Sequence, residues 1–159
     1  MQSNIWGRHA WEFAHTITFN YPEQPTKTDQ NNIKGFFDYF GPNLPCSICR
    51  ESFNYFYEHI PIDEFVGSRY GVVYWLYIMH SLVNYKLNKR NITYSELIYK
   101  YENIRVSNEA QTVTANYVRH FINESNRVYS DIIKEKISNL LQHGYKKKDI
   151  INIINHLPS

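Results

Sequence analysis

The sequence predicts an all-α protein: four packed helices, a short fifth, and a helical C-terminal extension. Three observations carry that prediction. Apolar side chains between residues 1 and 101 recur at intervals of three and four, the spacing that lines one face of a helix. No segment there alternates polar and apolar residues as a half-buried strand does. Breakers and caps divide the stretch into helix-length pieces: Tyr21-Pro22, Gly41-Pro42-Asn43, Pro61, and the capping box Thr93-Tyr-Ser-Glu96.

The first helix is expected over residues 5–15, with Trp11, Phe13, Ala14, Ile17 and Thr18 available for its apolar stripe and Tyr21-Pro22 as its stop. A Pro-containing loop follows. Thr28-Asp29 can cap a second helix over 30–40, whose face is Ile33, Phe36, Phe37 and Phe40. Pro45 stands just before or within the first turn of a third helix, where its missing N–H costs nothing. That helix runs from Cys46 to about His59 with Ile48, Phe53, Phe56 and Tyr57 inward. A fourth starts at Ser68 or Arg69 and ends at Leu87, with Val72, Val73, Leu76, Met79, Val83 and Leu87 on its face.

From about Glu102 aromatics thin out while Asn, Ile and Lys rise. Helices are expected there over 108–126, 128–143 and 147–156, with Gly144 as a C-cap. The chain thus divides into a bundle domain, residues 1–101, and an extension of unassigned role, 102–159. The extension's stripes are Val113, Tyr117 and Phe121, then Ile133, Ile137 and Leu140, then Ile150, Ile153 and Ile154. Three such helices cannot bury these alone, so they pack on the bundle or on a second chain. A larger homodimer, a docking surface for a partner and an inert cap all satisfy that requirement. Lacking Cys, the extension is expected to stay outside any electron path.

Composition narrows the function. The 159 residues are 43% hydrophobic and 20% charged, ordinary globular values that exclude wholesale disorder. Aromatics reach 16%, which suits a well-filled core or a flat ligand that needs stacking partners. A net charge of +2 is too small for nucleic-acid binding driven by phosphate neutralisation. The longest nearly apolar run, residues 70–79, is too short to cross a bilayer, and the N-terminus has no signal-peptide pattern. A soluble protein without a membrane span is expected.

The two cysteines, Cys46 and Cys49, lie together in Pro45-Cys-Ser-Ile-Cys49. Two thiols cannot form the disulfide framework of a small secreted domain. Three readings stay open: two buried thiols, half of a metal site completed by His59 or His80, or a redox-active dithiol. The redox reading has a physical case, because exposed N–H groups at a helix N-terminus stabilise a thiolate. No strand precedes the motif, so the context is not thioredoxin-like. A helical dithiol passes electrons to another disulfide or to a flavin, and the aromatic excess favours the flavin. Two segments then stand out. Arg8, Trp11 and His15 share one side of the first helix, and His80, Asn84 and Leu87 share a face of the fourth, with Trp75 a turn and a half earlier. Polar groups on faces that should be core are costly unless they meet a ligand or each other. Each histidine alone reads as a satisfied core residue.

Together these segments resemble the Erv/ALR family of FAD-linked sulfhydryl oxidases. The resemblance rests on Gly7-Arg8, Trp11, His15, Tyr21-Pro22, Pro45-Cys46-Ser-Ile-Cys49 and Trp75…His80-Ser-Leu-Val83-Asn84-Tyr-Lys86-Leu87, in order and spacing across residues 5–101. It implies a four-helix bundle with a short fifth helix cradling FAD, catalytic Cys46 and Cys49, and a homodimer. It implies cofactor contacts from Gly7, Arg8, Trp11, His15 and Tyr21 on the first helix and its loop. Further contacts are implied from Trp75, His80, Val83, Asn84 and Lys86, and from Lys100 and Tyr101, where the family usually has a basic residue and a Trp. Ser81 stands where the family has Asn. The structural disulfide and the shuttle dithiol of many members have no cysteines here, as in the minimal forms of large DNA viruses.

The resemblance implies that substrate thiols reduce the Cys46–Cys49 disulfide, that Cys49 is the flavin-side sulfur, and that electrons pass through FAD to O₂, giving hydrogen peroxide without a metal. Partners are then thiol-bearing proteins or a separate thiol carrier. The compartment is open: cytosol at a viral assembly site, a virion, the intermembrane space or the secretory pathway. The rival readings are a non-enzymatic helical interaction module and a flavin-free disulfide carrier.

Overall fold

The computed structural model describes residues 3–107, 109, 111–155 and 157, with the side chains of 3, 4, 149 and 152–154 excepted. Among these residues seven α-helices follow in order: α1 (Ser3–Phe19), α2 (Lys27–Phe40), α3 (Ser47–His59), a 3₁₀ turn (Ile62–Phe65), α4 (Arg69–Lys86), α5 (Tyr94–Arg105), α6 (Ala115–Gln142) and α7 (Lys147–Asn155). There is no strand among the described residues.

α1 runs a turn beyond its expected end. The Thr16 and Thr18 hydroxyls donate back to the carbonyls of Glu12 and His15, which lets these weak helix formers stay helical. Phe13 is exposed rather than inward, lying edge-on against Phe36. α2 starts earlier than expected, because Thr26 and not Thr28 is the N-cap: its hydroxyl accepts from the Asp29 N–H, and the Asp29 carboxylate accepts from the Thr26 N–H. Gly41 has helical φ, so its role is space. A Cβ there would run into Phe53 and Asn54 where α2 meets α3. On α3, Ile48 points outward, 58% exposed, while Cys49 and Ser52 take inward positions beside Phe53 and Phe56.

α4 is the axis of the molecule. Its sequence spacing predicts one buried face, yet Val72–Met79 are buried without interruption. A helix that is apolar all round belongs inside a core, and α1, α3, α6 and α7 all pack against it. Gly71 allows the entry: a Cβ there would meet the Phe65 carbonyl and the Tyr129 ring.

The extension differs most from expectation. In place of helices over 108–126 and 128–143 there is one continuous α6, which begins at Ala115 behind an N-cap at Thr114. Residues 126–128 contain neither Gly nor Pro, so nothing breaks the helix. Its buried row is Val118, Phe121, Ser125, Tyr129, Ile133, Ile137 and Leu140, spaced by three or four throughout. All of these but Ser125 join one hydrophobic cluster with α1–α5; Phe121, for example, lies against Phe19 and Tyr70. The extension therefore packs on the bundle. Ile150 of α7 is also fully buried. Asn108, His156 and the side chains of Ile153 and Ile154, named in the expected helices, lie outside the described residues.

Candidate functional site: a disulfide on the wall of an aromatic cleft

Pro45 stops the chain from entering a helix early, and Cys46 becomes the N-cap of α3. The Cys46 sulfur accepts from the Cys49 N–H at 3.3 Å, as a Ser or Asp oxygen does at other N-caps. Cys46 and Cys49 form a disulfide across a Cα–Cα distance of 5.2 Å. The two sulfurs have different surroundings. Cys46 is half-buried at the helix end, whereas Cys49 is 8% exposed and lines a cleft. His59, at the far end of α3, lies about 15–20 Å along the helix from the cysteines and cannot complete a metal site with them.

The cleft has a volume of about 470 Å³. α2, α3 and the turn between them supply Phe40, Leu44, Phe53 and Cys49. α1 supplies Trp6, Gly7, Arg8, Trp11, Glu12 and His15. α4 supplies His80, Ser81, Val83 and Asn84; α5 and the segment before it supply Lys89, Arg90, Asn91, Lys100 and Tyr101. The Trp11 and His80 rings stack at 4.0 Å and 8°. His15 Nε2 and His80 Nδ1 are 3.0 Å apart, one donating to the other and bridging α1 to α4. Burial pushes His80 down to about 3, assisted by Lys89 and Lys100, and pushes His15 well below the ordinary histidine value, assisted by His80. The pair is therefore neutral. Tyr101 stacks on Phe19 at 5.3 Å, with the Lys100 ammonium 5.0 Å over its ring. At the rim, Glu12 Oε1 accepts from Arg8 Nε at 3.0 Å and Lys100 Nζ at 3.2 Å, which hold its carboxyl below the usual range.

Five buried side-chain polar atoms among the described residues lack a hydrogen-bond partner, and three are on residues of this cleft: Trp6 Nε1, His15 Nδ1 and Asn91 Nδ2. Native proteins leave few such atoms unpaired, so their concentration here marks a place built for a polar ligand. Aromatic walls and four cations, Arg8, Lys89, Arg90 and Lys100, suit a flat ring system that carries phosphates. FAD meets that description, and the residues present fit it.

Ten of the expected contacts thus meet in one cleft: Cys49, Gly7, Arg8, Trp11, His15, His80, Val83, Asn84, Lys100 and Tyr101. Cys46 lies just outside it. Three others do not line it. Tyr21 donates its hydroxyl to the Val66 carbonyl, and its own carbonyl accepts from Arg69 Nε, so it fastens α1 to the start of α4. Trp75 is fully buried, donates Nε1 to the Ile60 carbonyl at 2.8 Å and packs edge-on to Phe37. Lys86 is exposed on the last turn of α4. Helical geometry explains the last two: at 3.6 residues per turn they stand about 140° and 120° around α4 from His80. Conversely, Trp6, Glu12, Phe40, Leu44, Phe53, Lys89, Arg90 and Asn91 line the cleft although the sequence does not assign them to it. Phe40 and Phe53 read as core from their spacing, which gives no hint that their rings face a cleft.

A reducible disulfide set beside an aromatic cleft in a helical bundle defines a thiol–disulfide redox protein. Residues 8–107 match the Erv1 / Alr family model, and the chain belongs to that family. It is 34% identical over 99 residues to the probable FAD-linked sulfhydryl oxidase R368 of Acanthamoeba polyphaga mimivirus, covering 62% of this chain and 69% of that protein. It is 32% identical over 83 residues to the mitochondrial FAD-linked sulfhydryl oxidase erv1 of Schizosaccharomyces pombe, covering 52% of this chain and 46% of that protein. The chain therefore spans less than half of that yeast relative. The crystal structure of the FAD binding domain of Erv1 from Saccharomyces cerevisiae superimposes with a TM-score of 0.60 at 26% identity, covering 65% of this chain and 96% of that one. The family match ends at residue 107, so α6 and α7 lie beyond it.

Proposed function

We propose that this chain is an FAD-dependent thiol oxidase that forms disulfides in protein substrates and passes the electrons to O₂. The observation that carries the reading is the position of Cys49, on the wall of a cleft whose aromatic, cationic and unpartnered polar residues fit FAD. FAD bound there supplies a two-electron acceptor that O₂ reoxidises, giving hydrogen peroxide.

The chain's own residues do the thiol chemistry. A substrate thiolate attacks the Cys46 sulfur, the more exposed of the two. A substrate–Cys46 bond forms, the Cys46–Cys49 bond breaks, and Cys49 leaves as a thiolate. A second substrate thiolate attacks the substrate sulfur of that mixed disulfide, releasing the product disulfide and a Cys46 thiolate. The Cys49 N–H and the helix N-terminus stabilise that thiolate. Two substrate thiols have then become one disulfide, and the electron pair rests on Cys46 and Cys49. The neutral His15–His80 pair and Trp11 hold the cleft's shape and take no proton. Arg8, Lys89, Arg90 and Lys100 would hold the phosphates, and Tyr101 would lie against the rings.

Partners are thiol-bearing proteins or a thiol carrier that reaches Cys46 directly. No helix among the described residues is long and apolar enough to cross a membrane. We also propose a homodimer through α1 and α2, supported by Ile5, Phe13 and Tyr39, which stand 65%, 59% and 73% exposed on those helices. Phe13→Glu is expected to halve the mass seen by sedimentation without loss of fold; an unchanged mass overturns this interface. The oxidase reading is tested by purifying the full chain, measuring bound FAD, and following hydrogen peroxide with dithiothreitol as substrate. Stoichiometric FAD and turnover that Cys49→Ser abolishes are expected; a colourless protein with no affinity for added FAD overturns the reading.

A further inference from the structure

The turn after α4 carries a donor that the family resemblance does not assign. α4 ends at Lys86, and Asn88 adopts φ of 53°, in the left-handed region that Asn tolerates better than most residues. The Asn88 N–H donates to the Tyr85 carbonyl at 3.2 Å and the Lys89 N–H to the Asn84 carbonyl at 2.8 Å. This bonding pattern closes a helix end by turning the chain back across it. Residues 89–91 then return beside the last turn of α4, and Asn91 Oδ1 accepts from Asn84 Nδ2 at 2.9 Å.

That bond orients the Asn91 amide. With Oδ1 held by Asn84, Nδ2 sits at the other corner, buried and without a partner, on a residue of the cleft wall. A buried donor left unpaired is unfavourable, and a ligand acceptor removes the cost. The chemistry around it identifies the acceptor. Lys89 and Arg90 precede Asn91 on the same segment, whereas Cys49 and the rings of Phe40 and Phe53 come from α2 and α3.

We propose that Asn91 is a cofactor-binding residue whose Nδ2 donates to the phosphate-bearing half of FAD, and that Asn84 is the positioning residue that aims it. The proposal rests on the FAD reading of the cleft. Asn84 then acts through Asn91, because one N–H of its side-chain amide is committed to the Asn91 carbonyl oxygen.

The test is equilibrium binding to the full-length protein freed of flavin, with FAD, ADP and riboflavin as probes. A hydrogen bond to a charged group is worth roughly a factor of ten or more in affinity. Asn91→Ala is therefore expected to weaken FAD and ADP by about tenfold, and riboflavin by less than twofold. Asn91→Asp, nearly isosteric, turns a carboxylate toward the phosphates and is expected to weaken FAD further; it keeps the test alive if the alanine variant folds poorly. Asn84→Asp, which cannot donate to Asn91, is expected to lose as much as Asn91→Ala, and the double variant Asn84→Asp/Asn91→Ala no more than the worse single one. Wild-type ADP affinity in Asn91→Ala overturns the proposal, since a water then satisfies the amide. Losses that add in the double variant overturn the positioning role. A loss confined to riboflavin overturns the placement at the phosphates. If the wild-type protein binds neither FAD nor ADP, the cofactor reading itself fails, and the proposal with it.

Discussion

Cys46 and Cys49 differ by one turn of helix, and the difference supports the proposed roles, Cys46 toward substrate and Cys49 toward the cleft. Cys46 is half-buried at the mouth of α3, with the Cys49 N–H on its sulfur, while Cys49 faces the cleft at 8% exposure. In single-serine variants the remaining thiol should therefore react unequally with a bulky aromatic disulfide reagent. Cys49→Ser leaves Cys46 free and is expected to trap a stable mixed disulfide at least about ten times faster than Cys46→Ser, a ratio that follows from access and thiolate stabilisation. Mass spectrometry after timed quenching measures both. Equal rates, or faster trapping at Cys49, assign the substrate-facing sulfur to the wrong residue.

His15 and His80 make a second statement at this scale. In the unfolded chain both protonate near 6.5; folded, His80 does so only at about 3, and His15 well below its ordinary value. Between those limits the unfolded chain binds more protons. Stability present above pH 6.5 is therefore lost as pH falls toward 3, at about 1.4 kcal/mol per pH unit for His80, and His15 adds a loss in the same direction. Acidification from about pH 6.5 to about pH 5 should remove roughly 2 kcal/mol through His80. Urea unfolding at the two pH values checks it, and His80→Gln should show a smaller loss than the wild type. Identical stability at both pH values contradicts a neutral buried pair. The site residues legible in the sequence are those, like these, whose polarity clashes with an apolar face. Asn91 and Lys89 are not legible, because they reach the cleft through a left-handed turn at Asn88, which helical spacing does not describe.

At the level of elements, the join between α5 and α6 rests on a buried charge. Glu102 has no exposed surface. Its carboxylate accepts from Arg105 Nε at 3.1 Å, from Arg105 Nη2 at 2.7 Å and from the Tyr117 hydroxyl at 2.8 Å. Burial, then the carboxylate, push the Tyr117 phenol up to about 12, so it remains a donor at neutral pH. A second link runs from Tyr94 on α5 to Ser125 on α6. The Ser125 hydroxyl donates to the Phe121 carbonyl, so the Tyr94 hydroxyl donates to Ser125. Glu102 and Tyr94 bracket Lys100 and Tyr101, the α5 residues that close the cleft. Removing one member of a buried pair strands the other. Glu102→Gln is expected to cost roughly 3–5 kcal/mol and Tyr117→Phe about 1.5–3 kcal/mol, both read from urea unfolding. Wild-type stability in both variants shows that the buried charge does not hold this join. Helix number and type in the first 105 residues are legible because caps and breakers punctuate them. The expected break in α6 does not occur, because Asn126 and Arg127 are weak interruptions of a row that Ser125 and Tyr129 carry straight through. The continuous burial of α4 cannot be read from one stripe, because what covers its outer side is α6, some 30 residues further on.

For the whole molecule, the central fact is that the family match ends at residue 107 while the core does not. From sequence alone, a chain ending near Arg105 should keep its flavin, because the extension lacks cysteines and cofactor motifs. The packing reverses that expectation. Phe121 closes over Phe19, and Phe19 is the platform on which Tyr101 stacks at the cleft. Tyr129 stacks on Phe65 and exchanges a hydrogen bond with Ser68, the N-cap of α4. Truncation after Arg105 uncovers Phe19, Phe65 and Tyr94 together and removes the Tyr117 and Ser125 partners of α5. At about 1.5–3 kcal/mol for each large apolar side chain returned to water, the loss approaches the whole stability of a typical domain. The truncated chain is expected to aggregate on expression and to retain no FAD. Truncation after Gln142 gives up Ile150 and the rest of α7 but leaves the α6 row in place. It should stay folded, with a lower melting temperature and full FAD content. Comparing the two by circular dichroism and flavin-to-protein ratio separates a core element from an appendage. If the shorter chain is folded and carries stoichiometric FAD, α6 is an outer layer and the cleft stands without it.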